Sequence, residues 1–106
     1  MIRSLSISKM IIRIVKMTFI PEKTTDFLNH FNGWKEQIRN MPGCSHLELL
    51  NDINNSDIFF TYSYWDSEDN LNNYRNSELF KNVWAKTKIL FADNPEAWSV
   101  EQKVVL

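Results

Sequence analysis

The chain has 106 residues, 43% hydrophobic and 13% aromatic, with 12 basic and 13 acidic side chains for a formal net charge of −1. That is one globular domain with a single core, and its scattered cations form no stripe that could follow a phosphate backbone, so nucleic acid is not an expected partner. The single cysteine, Cys44, excludes an intrachain disulfide, no apolar run is long enough to span a membrane, and a reducing cytoplasm is the expected location.

Residues 1–9, MIRSLSISK, are too short and too weakly apolar for a secretion signal. They read as an N-terminal extension ahead of a domain at 10–106, with Met1 and Met10 both open as the start. Met10 to Phe19 reads as a strand with Ile12 and Ile14 on one face and Ile11, Val15, Met17 and Phe19 on the other, so both faces need cover. Pro21 suits a first helical turn. Phe27, Phe31, Trp34, Ile38 and Met41 then mark the buried stripe of a helix from Glu22 to Asn40. Gly33 within it signals close packing, room for a ligand, or a tolerated surface position. Pro42 and Gly43 end the helix. Cys44 to Leu50 follows as a second strand, and the polar run Asn51 to Asp57 as a hairpin loop.

Ile58 to Trp65, free of Gly and Pro, reads as a buried third strand. Phe60, Tyr62 and Tyr64 make one bulky face, whereas the other sets Thr61 and Ser63 between Phe59 and Trp65, a pattern that leaves a hollow beneath a helix. Ser67 (or Asp66) and Ser77 are successive N-caps, predicting helices over 67–75 and 77–90. Leu79, Phe80, Val83 and Trp84 share one face of the second. Asp93-Asn94-Pro95 makes a turn, and Ala97 to Val105 a last strand. The order β-α-β-β-α-β predicts an α+β fold, the ferredoxin-like antiparallel sheet with its helices on one face. The other face keeps large aromatic residues, and a second copy packed sheet to sheet would cover them, so a homodimer is expected.

Tyr64-Trp65-Asp66-Ser67-Glu68, followed by Leu71, Tyr74, Ser77 and Phe80, resembles the W-(E/D)-S-x-x-x-(L/F)-x-x-(H/Y/W)-x-x-S-x-x-F signature of the antibiotic biosynthesis monooxygenase family, a dimeric α+β barrel group. Met41-Pro42-Gly43-Cys44 matches its step into the second strand, and the resemblance runs from Met10 to about Glu101. It implies a cofactor-independent monooxygenase for a small aromatic or quinol-like substrate. The alternative is a non-catalytic dimeric module that binds a small ligand. Strand parity taken from the family turns Lys16, Thr61, Ser63 and Trp65 towards the helices, to meet Phe80 and Trp84, with Tyr74 at the pocket mouth. Lys16 would then stabilise a substrate anion or act as a base, its other reading being an edge lysine snorkelling to water. His46 points away from the helices, but with reversed parity it becomes a general base. Cys44, His46 and Glu48 lack a distant fourth ligand, so no metal is expected, and no cofactor. The family's haem-cleaving branch is similar in using an Asn and a proximal His where this chain has Lys16 and Trp84, which argues against haem. The histidine common in its quinol-oxidising branch is here Tyr74.

Overall fold

The computed structural model describes residues 9–106; the reading of residues 1–8, and with it the choice of start, lies outside the described residues. Strand β1 spans Ile11–Thr18, a single 3-10 turn covers Pro21–Lys23, and helix α1 runs Thr24–Arg39. Strands β2 (Cys44–Asn51) and β3 (Ile58–Trp65) form the hairpin, followed by α2 (Glu68–Arg75), α3 (Glu78–Lys88) and β4 (Glu96–Val100). All pairings are antiparallel, in the order β2-β3-β1-β4, the ferredoxin-like arrangement expected from the sequence.

The local causes are visible. Pro21 starts the helical region as a tight turn because its missing N–H costs nothing there. Phe27, Phe31, Trp34 and Ile38 form the buried stripe of α1, packing with Met17, Phe19, Phe59 and Leu90 into the main core. Gly43 has φ +85°, and a Cβ there would lie 2.2 Å from the Asn70 side chain, so glycine is required where α1 gives way to β2. The side-chain oxygens of Ser67 and Ser77 accept hydrogen bonds from the Asn70 and Phe80 N–H groups, capping α2 and α3.

Two boundaries differ from the sequence reading. The last strand ends at Val100 rather than Val105, its pairing with β1 running from Lys16–Glu96 to Ile12–Val100. In β2, a register shift between Cys44 and His46 breaks the simple alternation. Cys44 packs towards the helices with Trp65 and Leu71, whereas His46 pairs across from Tyr64 on the other face, so Cys44, His46 and Glu48 do not share one side.

Candidate active site

Between sheet and helices lies a cavity of about 400 Å³, within the range of small-molecule sites. Its floor is set by strand register. Arg13 lies opposite Ser63 on β3 and Ser99 on β4; one step along, Val15 lies opposite Thr61 and Ala97; next, Met17 lies opposite Phe59. The floor therefore grades from a cationic, hydroxyl-bearing end to an apolar one. Phe31, Phe80, Val83 and Trp84 close it from the helices.

Trp65, 1% exposed, donates its indole Nε1–H to the Ser63 hydroxyl oxygen at 2.9 Å. Its ring stacks on Tyr74, with centroids 5.0 Å apart and planes at 17°. Tyr74 meets Phe80 edge-on at 5.2 Å, and Phe80 lies parallel to Trp84 at 6.2 Å. These four rings make a continuous aromatic wall anchored by the capped α2–α3 junction, where the Ser77 hydroxyl also donates to the Tyr74 carbonyl. Burial, with a smaller contribution from Cys44, holds the Tyr74 phenol above its ordinary pKa, so it stays protonated and neutral at neutral pH. Burial first, and the like charge of Arg75 second, push the Arg13 guanidinium below its usual value.

Of the side chains singled out in the sequence, Thr61, Ser63, Trp65, Tyr74, Phe80 and Trp84 all line this cavity. Lys16 and His46 do not. Lys16 pairs across from Phe60 on the far side of the sheet, where its ammonium lies 3.9 Å from Glu96. His46 sits on that same far side, in contact with the Glu48 carboxylate and 4.8 Å ring to ring from Tyr64. The expected helix-facing position of Lys16 is therefore corrected: the cations at the cavity are Arg13 and Arg75. The signal for Arg13 was available, because it shares parity with Ile11, Val15, Met17 and Phe19, the larger apolar set of β1. Arg75 gave no such signal, since its place at the cavity depends on how the short α2 lies across the sheet.

No histidine or carboxylate lines the cavity among the described residues, so its donor set offers haem iron no imidazole ligand. Nor do three His, Cys, Asp or Glu side chains come together anywhere among them. No helix is long and apolar enough to cross a membrane.

The same architecture occurs in solved proteins. A conserved protein from Methanosarcina mazei Go1 superposes with a TM-score of 0.85 at 21% identity, over 90% of this chain and 94% of that one. A Caulobacter crescentus CB15 protein that bears the name of an antibiotic biosynthesis monooxygenase gives 0.84 at 20%, over 93% and 94%. PA3566 from Pseudomonas aeruginosa gives 0.82 at 18%, over 92% and 98%. At these identities the likeness establishes the fold alone. No curated protein matches the chain. The sequence profile of antibiotic biosynthesis monooxygenases, however, matches residues 10–86, and with that span of the fold accounted for, the chain belongs to the antibiotic biosynthesis monooxygenase family.

Proposed function

We propose that the protein is a cofactor-independent monooxygenase that oxidises a small aromatic, quinol-like substrate in the cavity between sheet and helices. The observation that carries this reading is the pairing of an aromatic-walled cavity with a cationic, hydroxyl-bearing end at Arg13, Ser63 and Thr61. An electron-rich phenolate is the species such a site favours, because nearby cations and hydrogen-bond donors lower the pKa of a bound phenol. The phenolate passes one electron to dioxygen, and the radical pair combines at a hydrogen-bearing ring carbon to give a peroxide. Loss of water then leaves a carbonyl, with one oxygen atom in the product and the other in water. Trp65, Tyr74 and Trp84 hold the ring and exclude solvent in this scheme, and the Ser63 and Thr61 hydroxyls orient its oxygen.

Oxygen uptake with a panel of hydroquinones and polyphenols tests the reading. Uptake that falls in Trp65→Phe and Arg13→Gln variants that remain folded supports it; no uptake across the panel refutes it. One observation favours a second reading, a non-catalytic ligand-binding module: among the described residues no histidine or carboxylate lines the cavity to act as a general base. Ligands that raise the melting temperature without turnover would establish that reading instead.

The active unit in this proposal is a homodimer formed through the free sheet face. Ile14, Tyr62 and Trp98 adjoin there, and the apolar residues Val104 and Val105 are 76% and 71% exposed, with no strand beside them among the described residues. A second copy would cover the first and give the second a partner. A cytoplasmic location belongs to the same reading and is supported by the free thiol of Cys44.

A further inference from the structure

We infer that the ligand of this cavity is an aromatic acid, its ring system against the Trp65–Tyr74 wall and its carboxylate at Arg13 and Arg75. The inference rests on the cavity being the substrate site and adds the charge of what it takes.

Three observations converge. First, neither Arg13 nor Arg75, both at the cavity, has a carboxylate within ion-pair distance among the described residues. Among the described residues the Arg13 guanidinium makes one side-chain hydrogen bond, to the neutral Ser99 hydroxyl at 3.0 Å, which leaves most of its five N–H donors without a partner there. Second, Ser63 is 6% exposed and its oxygen already accepts the Trp65 indole N–H. Its own hydroxyl proton has no acceptor among the described residues, and the space it faces is the cavity. A buried donor without an acceptor is uncommon in folded proteins. Third, the two guanidiniums are close enough for the charge of Arg75 to depress the Arg13 pKa, a repulsion that a bound anion would remove.

The rest of the cavity narrows the anion. Away from Arg13 most of its walls are apolar, with Val15, Met17, Phe31, Leu47 and Val83 among them, a lining that suits a flat ring better than a polar chain. A planar carboxylate on a flat ring satisfies both ends, because it matches a guanidinium fork in bidentate geometry.

Calorimetric titration of the purified protein with 2-naphthoate and with its neutral isostere 2-naphthalenemethanol tests this. Naphthoate is expected to bind at least about tenfold more tightly at low salt, the size of one charge-assisted contact, with the preference shrinking as salt is raised. Arg13→Gln and Arg75→Gln should each reduce that preference by weakening naphthoate more than the neutral probe, and Arg13→Lys should restore part of it. Equal binding of the two probes, or a preference that survives the double Arg→Gln variant, overturns the inference and leaves the cavity intact as an aromatic site. Binding of neither probe overturns both the inference and the substrate-site reading beneath it.

Discussion

The Trp65 indole N–H and the Ser63 hydroxyl, two positions apart on one face of β3, meet in a 2.9 Å hydrogen bond inside the protein. This bond fixes the rotamer of the largest fully buried side chain and, through the stack on Tyr74, the plane of the cavity wall. Ser63→Ala leaves a buried N–H without an acceptor and should cost about 1–3 kcal/mol in urea unfolding. In a Trp65→Phe background the same substitution should cost less than about 1 kcal/mol, since no donor remains to be orphaned. Equal costs in both backgrounds would show that the bond contributes nothing to stability.

The two glycines should respond in opposite directions. A Cβ at Gly33 meets nothing within 4 Å, so of the three readings of this residue the structure favours the tolerated surface position. Gly33→Ala should stabilise α1 by about 0.5–1 kcal/mol, by helix propensity and a less flexible unfolded chain. Gly43→Ala meets both a positive φ and the Asn70 side chain and should lower the denaturation midpoint. A destabilised Gly33→Ala would indicate a packing constraint on that face of α1.

Patterns confined to one element were legible in the sequence. Ile58–Trp65 alternates cleanly, and its helix-facing set of Phe59, Thr61, Ser63 and Trp65 faces the cavity and core as expected. The caps at Ser67 and Ser77 likewise announce themselves by residue type. Features that depend on two elements were harder. The parity of β1 is ambiguous because both of its faces carry isoleucine, and Lys16 was placed by family likeness rather than by the larger apolar set that includes Arg13. The bulge after Cys44 has no marker of its own, yet it turns His46 and Cys44 to opposite sides. The end of β4 depends on its pairing with β1, which stops at Ile12–Val100 and which the apolar residues Val104 and Val105 do not announce.

Stability should fall on the alkaline side for a named reason. Burial raises the pKa of the Tyr74 phenol and, as the first of its causes, that of the Cys44 thiol. For groups that hold their protons more tightly when folded, the unfolded chain loses protons first as pH rises. Their contribution is thus fully present below the unfolded values, about 8.5 for Cys and 10 for Tyr, and is lost progressively above them. The melting temperature should therefore decline from about pH 9 upward. Tyr74→Phe should flatten the part of that decline above about pH 10, and Cys44→Ala the part below it. An unchanged slope in both variants would place the titrating groups elsewhere.

The far face of the sheet supplies the last prediction. Trp98 lies directly opposite Ile14, and Ile14 opposite Tyr62, so one aromatic-rich row crosses three strands on the face away from the described helices. Trp98 is 43% exposed and Val100 40%; exposed singly such residues need no explanation, but as a continuous row they mark an interface. Lys16 paired with Glu96 at its border, and His46 with Glu48, give the row the polar rim common in protein interfaces. Sedimentation should accordingly find a species of twice the 12.6 kDa chain mass. A central tryptophan contributes about 2 kcal/mol or more to such an interface, so Trp98→Lys should raise the dimer Kd by about thirtyfold or more. Ile89 is 70% exposed at the end of α3, away from this face, and Ile89→Lys should leave the mass unchanged. A monomeric parent protein, or equal effects of the two substitutions, would mean that the row is not where copies of the chain meet.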